Sequence, residues 1–504
     1  VVWLVGALLL SWLAWGPAVL LVAAALLCVP RVRWWVEDRA HVERRVAGLA
    51  GAVVLALVAL VLVVPDGWLP VPPAPGVLAG PSYVGRPATA HPAGPAPDAP
   101  ANPHLAADDS TRPGPLGLQP EVDTSWFGLQ RCGRLDATSA GTLVARCVDR
   151  SGPSLRLVDA DTMRPVVSRD LPDAETCADA DGLDTSYVDE ADRVVVATRT
   201  REVRVVATRS AKGDPDLGTV TSWDLKPYVP YGDCLVAVAP DWSGRVWWAS
   251  QQGLVGTIDP ASGQVAVTDL GEDVRRGLAT DDTGAYVVTD EALHRLVAGL
   301  GGGLQEVWRS EYDGASGSAP VLLDGGVVAV TDRVDARLGV LFLARDDGRH
   351  LCRQPVFEKD DGATDSPLAP LGTGVVVTNN DGYSSPRSTL LGFTSSPGMS
   401  RVDLVDGGCV VRWTSDAVSP GSGATPSWPN GLLYAWTKRP SLVGVSAWYL
   451  TAVDASSGRS MWSVRTGTGL LAGSDRSQVA VGADGTVWLG TLSGLVRVRD
   501  RTRS

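Results

Sequence analysis

The chain has 504 residues, 45% of them apolar and 20% charged, which excludes a disordered polymer and a short disulfide scaffold and leaves room for two or three units. Its 44 Lys and Arg stand against 56 Asp and Glu, a net charge of -12. That balance argues against a nucleic-acid partner, which would need a basic face.

Residues 1–29 form an almost unbroken apolar run, and residues 46–64 a second one without a charge. Each is about long enough to cross a bilayer core of roughly 30 Å. Between them Arg31, Arg33, Arg39, Arg44 and Arg45 outnumber Glu37, Asp38 and Glu43, and the next basic residue is Arg86. The excess of positive charge predicts a transmembrane helical hairpin over residues 1–64, with loop 31–45 in the cytoplasm and the C-terminal region outside, as in a multi-pass cell-membrane protein. A secretory signal peptide is a second reading of the first run, in a chain that opens on Val1. Trp34 and Trp35 fit an interfacial belt, and Gly48, Ala52 and Ala56 a small-residue stripe for helix packing.

Residues 65–120 hold 15 of the 35 prolines and few large apolar side chains. Such a segment buries too little surface to offset its ordering entropy, which predicts a disordered, extended stalk in which His91 and His104 are solvated.

From Glu121 onward, residues 121–504 read as all-β: short runs of Val, Leu, Thr and Trp bounded by Gly, Asp and Pro. The clearest unit has strands over 319–324, 327–332, 339–344 and 351–357, joined by Gly325-Gly326, a polar loop, and Asp346-Asp347-Gly348. Similar units start near Leu129, Tyr187, Leu235, Leu278, Ala319, Ser366, Thr425 and Ser477. That spacing predicts a β-propeller of eight four-stranded blades, with seven as the alternative count. The last unit has three obvious strands, and residues 121–127 are placed to supply the fourth and close the ring. Asp159, Asp259, Asp346 and Asp454 recur at the third-to-fourth strand turn, where a carboxylate that bonds its own backbone suffices as an explanation.

At Ala452-Val-Asp454-Ala-Ser-Ser-Gly458-Arg-Ser-Met-Trp462 the sequence resembles the tryptophan-docking repeat of quinoprotein dehydrogenase-like propellers, with Ala452, Asp454, Gly458 and Trp462 matching position for position. The resemblance implies that a Trp of one blade packs on its neighbour. Enzymes of that group which bind pyrroloquinoline quinone also carry a vicinal Cys pair, and no two Cys are adjacent here, so no cofactor is expected. Four Lys (Lys212, Lys226, Lys359, Lys438) and a single Ile (Ile258) give a bias that resembles GC-rich actinobacterial proteomes.

Six of the seven Cys follow the proline-rich segment, on the side where disulfides persist. Folding the first hairpin about residues 138–141 sets Cys132 opposite Cys147. The blade pattern further suggests Cys177 with Cys234, in loops leading into neighbouring blades, and Cys352 with Cys409, at the starts of neighbouring fourth strands. His294 and His350 read as ordinary, partly exposed strand or turn residues.

In a four-stranded blade the loop into the first strand and the loop after the second lie at one rim of the central channel. That rim gathers Asp290, Glu291, Asp332, Asp335, Asn379, Asn380, Asp381, Asp365, Ser366 and Lys438. Of these, Asp332, Asn379, Asn380, Asp381, Asp365 and Lys438 form the expected ligand-binding set. The run Asn379-Asn380-Asp381 offers oxygens for a sugar or for calcium, although it also reads as a solvated turn. Two functions follow: a membrane-tethered binding or scaffold module for an envelope protein, polysaccharide or small ligand, or an extracytoplasmic enzyme, either a quinoprotein-like oxidoreductase or a metal-dependent lactone hydrolase. The lack of a recognisable acid, base and metal constellation favours the first.

Overall fold

The computed structural model describes residues 18–40, 64–70, 80–94, 102–106 and 109–501 except 181–184, 300–302, 315 and 440–445, together with scattered positions before residue 60. Residues 131–499 form eight antiparallel sheets whose four strands follow one another in sequence order, apart from the last, which borrows a strand. They are the blades of a propeller: blade 1 spans residues 131–170, blade 2 186–224, blade 3 235–269, blade 4 278–311, blade 5 321–355, blade 6 369–415, blade 7 425–468 and blade 8 480–499. Eight is therefore the count, and the seven-blade alternative is excluded.

Second strands such as Val246–Ser250 and Gly284–Val288 are buried along their whole length. Both of their faces pack against other blades, so runs of Val, Trp and Ala replace strict alternation. The outermost strand Pro165–Asp170 alternates half-buried and exposed residues. In blade 5, Val327–Val334 pairs with Arg337–Ala344 from Val327↔Ala344 to Val334↔Arg337, around a two-residue turn in which Asp335 and Ala336 both take positive φ. The ring closes as expected: Glu121–Trp126 pairs with Gly494–Arg499 and becomes the outer strand of blade 8.

Blades are joined by indoles. Trp413 of blade 6 donates its Nε1 hydrogen to Ala455 O of blade 7 at 3.0 Å, over Gly458, where a Cβ would stand 2.4 Å from the ring. Trp308 of blade 4 reaches Arg345 O of blade 5 at 3.1 Å. The acceptor corners are held by the recurring carboxylates: Asp159 Oδ1 accepts from Thr162 N at 2.7 Å, Asp259 Oδ1 from Ala261 N at 2.8 Å, and Asp454 Oδ1 from Ser457 N at 2.8 Å. In blade 5 it is Asp347, rather than Asp346, whose Oδ1 takes a backbone N–H, that of Arg349.

The three disulfides are Cys132–Cys147, with Cα atoms 4.0 Å apart, Cys177–Cys234 and Cys352–Cys409. Cys352 stands four residues after Gly348, as Trp462 stands four after Gly458, so a covalent bond to blade 6 replaces a docking indole at that seam.

The described part of residues 65–120 differs from a free stalk. Tyr83–Gly85 adds a fifth strand to blade 7, and the chain then runs beneath the ring. Asn102 Nδ2 donates to Pro240 O at 2.8 Å, Ala106 N to Val188 O at 2.9 Å, and Arg112 Nη1 to Val481 O at 2.8 Å. Those carbonyls end the innermost strands of blades 3, 2 and 8. The Asp500 carboxylate then accepts three successive amides, Leu116 N, Gly117 N and Leu118 N, at 2.7, 3.0 and 2.8 Å. Gly117, at φ +85, fits against the Trp462 ring, where a Cβ would come within 2.6 Å. Proline-rich chain with little apolar surface of its own is ordered here because the ring's free carbonyls and its incomplete last blade satisfy it.

Among the described residues no helix is long and apolar enough to cross a membrane. Twelve of the 29 residues of the first apolar run expected to span it, and twelve of the 19 of the second, lie outside the described residues. Ala18–Leu27 is helical, and Pro30–Ala40, expected within the cytoplasmic loop, is a second helix.

Candidate ligand-binding face

Chain direction alternates along a blade, so the loops into first strands and after second strands share one face, called upper here, while the other turns form the lower face. Every residue expected at the rim stands at this upper level, but the structure uses them differently.

Asn379 and Asn380 are almost wholly buried, at 1% and 3% exposure. Asn379 Oδ1 accepts Ala363 N and Asp381 N, and its Nδ2 donates to Asp361 O at 2.8 Å and Pro397 O at 3.2 Å. Asn380 Oδ1 accepts Ser366 Oγ at 2.8 Å and Nδ2 donates to Ser419 O at 2.9 Å. The solvated turn anticipated there is corrected: both amides brace loops, because a long excursion between strands needs buried partners for its backbone. Within the trio only the Asp381 carboxylate shows no partner among the described residues. Asp365 faces Arg476 at 3.6 Å.

That excursion, residues 379–398, links the second and third strands of blade 6 and lies over blades 7 and 8 as a lid. Tyr383 Oη donates to Asp475 Oδ1 at 3.0 Å, and Lys438 Nζ donates to the carbonyls of Thr389, at 2.8 Å, and Phe393. Ser446 Oγ adds a bond to Thr389 O at 2.9 Å. Lys438 is 1% exposed, and burial pushes its ammonium down to about 8. Beyond this anchor the lid presents Leu390, Leu391 and Phe393 to solvent, with Leu391 at φ +56.

Asp332, Asp290 and Glu291 meet elsewhere, in a cleft of about 480 Å³ between blades 4 and 5 that Arg309, Glu311, Asp313, His350 and Arg353 also line. The buried Asp332 carboxylate accepts Arg353 Nε on both oxygens, at 2.7 and 2.9 Å. Behind the opposite wall, Glu272 takes Arg309 at 2.7 Å and His294 Nε2 at 3.0 Å. Burial pushes the Glu272 carboxyl up, but hydrogen bonds from Thr289, His294 and Arg309 outweigh it and hold the group below its ordinary value. His294 is 1% exposed, a correction to its expected surface setting, and His350 bonds Ser310 Oγ at 3.0 Å. The excess of carboxylates at the cleft's mouth suits a ligand ammonium or guanidinium. No group of three or more His, Cys, Asp and Glu is placed to hold a metal ion among the described residues.

Sequence reasoning missed a second exposed element. The segment from Leu225 to Cys234 leads into blade 3, tied by the Cys177–Cys234 bond and by Arg201 Nη1 to Val229 O at 3.0 Å, and presents Tyr228 and Tyr231, the latter 82% exposed. The signal was present as Pro227-Tyr228-Val229-Pro230-Tyr231, in which prolines fix a loop that shows its aromatics outward.

No protein-family profile matches the chain. An uncharacterised protein of Archaeoglobus fulgidus is 27% identical over 360 residues, which cover 60% of this chain and 69% of that protein. Solved structures similar in shape include U3-55K, at 12% identity, 64% of this chain, 93% of that chain and a TM-score of 0.42. A chain of the mitotic checkpoint complex gives 11%, 62%, 88% and 0.40. A chain of the Kuenenia stuttgartiensis hydrazine synthase gives 12%, 62%, 93% and 0.39. Neither ligand nor activity follows from likeness at this level.

Proposed function

We propose that the chain is a membrane-tethered, extracytoplasmic binding or scaffold module that meets an envelope protein with its upper face. One observation carries this reading: Tyr228, Tyr231, Leu390, Leu391 and Phe393 are exposed on braced upper loops, while no lower turn of the ring exposes a large apolar side chain among the described residues. Exposed aromatic and aliphatic anchors held in rigid loops are the usual makings of a protein-binding hot spot. The three disulfides support an oxidising compartment, and the charge-free run 46–64 with the arginines before it supports the tether. The docked indoles support kinship with quinoprotein-like propellers in blade architecture. No cofactor is required for binding of this kind.

A photo-crosslinking residue placed at Tyr231 or Phe393 in cells should capture the same envelope protein, and one at Asp192 in a lower turn of blade 2 should not. Equal capture from both faces, or a reporter fused after Ser504 that works only in the cytoplasm, would overturn the proposal.

A further inference from the structure

The second apolar run ends at Val64, and only two residues later Asp66 is ion-paired to Arg156 of blade 1. At no more than about 3.6 Å per residue, the ring is attached within about 10 Å of the end of that run. The attachment is rigid: Gly67 N donates to Trp126 O at 2.8 Å and Trp126 N to Leu69 O at 2.7 Å, which pins the chain to the outer strand of blade 8 where it meets blade 1. Trp68, held between those two bonds, is nevertheless 58% exposed, with the Arg164 guanidinium 4.3 Å from its ring centre. Three residues beyond Trp126, Leu129 is 62% exposed.

We infer that the seam between blades 8 and 1 lies on the lipid surface, with Trp68 and Leu129 in the interfacial layer and Arg164 at the level of the headgroup phosphates. This rests on the tether reading above and fixes the side of the ring that faces the bilayer. The headgroup layer outside the hydrocarbon core is several ångströms deep on each side, comparable to the reach from Val64, so a ring attached so closely cannot hold this seam in bulk water. An amphipathic indole with a stacked guanidinium is the chemistry that layer favours. The two pinning bonds leave the ring little freedom to bury Trp68 in the protein instead. Asp66, the nearest carboxylate along the chain, is neutralised by Arg156 and offers no repulsion to anionic lipid.

The test uses the full chain in vesicles of phosphatidylcholine and phosphatidylglycerol, with Cys28, the free cysteine, replaced by Ser. A nitroxide on Leu129→Cys should be shielded from a water-soluble nickel complex and accessible to oxygen. A nitroxide on Val307→Cys, which is 52% exposed on the outer strand of blade 4, half a ring away, should be open to nickel. In a second measurement, Trp68→Phe should lower the fraction of tryptophan emission quenched by brominated lipid. Equal nickel access at both positions, or unchanged quenching in Trp68→Phe, overturns the inference while the tether stands. A chain that fails to float with the vesicles overturns the tether reading, and this inference with it.

Discussion

On the lower side of the ring the turns between first and second strands close on buried carboxylates: Asp241 Oδ1 accepts Ser243 N at 2.9 Å while Oδ2 takes Trp247 Nε1 at 3.0 Å, and Asp281 accepts Thr283 N, Gly284 N and Arg295. The segment over residues 102–118 then covers the inner strand ends. On the upper side, equally well-braced loops stop short of covering themselves: the lid is fixed by Lys438 and Tyr383 yet ends in exposed Leu and Phe, and the blade 3 loop ends in exposed Tyr. Both faces use buried polar groups for order, but the upper loops expose Tyr228, Tyr231, Leu390, Leu391 and Phe393, whereas the lower turns of the ring expose no large apolar side chain among the described residues. Residues of the lower face should therefore govern stability, and the outermost residues of the upper face should govern recognition.

The strongest challenge to that division is Trp462→Ala, which undocks the indole from Gly117 of the segment beneath the ring. A buried Trp replaced by Ala costs about 3–5 kcal/mol, read as a lowered urea midpoint, and a smaller loss than at any exposed upper residue would show that the lower face does not govern stability. Next is Lys438, the upper-face group that does bear on stability. Its native value of about 8 lies below the unfolded 10.5, so between these values the unfolded state holds the extra proton and stability rises with pH. The gain is on the order of 3 kcal/mol, and Lys438→Met should flatten that alkaline rise in a melting-temperature series.

Asp500→Ala removes the acceptor of three amides and should cost about 2 kcal/mol, with faster hydrogen exchange at Leu116, Gly117 and Leu118 as the sharper readout. Tyr231→Ser and Phe393→Ser should change stability by under about 0.5 kcal/mol while abolishing capture of the upper-face partner. A large loss of stability would show that these side chains belong to the fold.

Much of the ring was legible in the sequence because a propeller repeats a local unit. Each hairpin is marked by its own Gly and Asp turns, so blade starts near Leu129, Leu235, Leu278 and Thr425 fall within a few residues of the strands. The closing strand at Glu121 and the three cysteine pairs followed from counting strands. The site was less legible, for a physical reason visible in Asn379 and Asn380: a polar run reads as solvated unless one knows what folds over it, and here residues 361, 397 and 419 do. Asp241 and Asp281 carry a local signal, since each opens an Asp-x-Ser/Thr-Gly turn, but only the folded blade shows that their second oxygens reach the buried Trp247 and Tyr286.

Blade architecture, strand order and cysteine pairing were all readable along the chain, because each depends on contacts between near neighbours or on a repeating unit. The assembled ring was needed to show that the proline-rich segment straps it, that Lys438 is buried beneath the lid, and that Asp332 belongs to a cleft between blades 4 and 5. The strap depends on partners hundreds of residues away, such as Asp500 for Leu116 and Val481 for Arg112, and the settings of Lys438 and Asp332 depend on residues of a neighbouring blade, Thr389 and Asp290. No local pattern encodes which unsatisfied carbonyl or amide a distant segment will find.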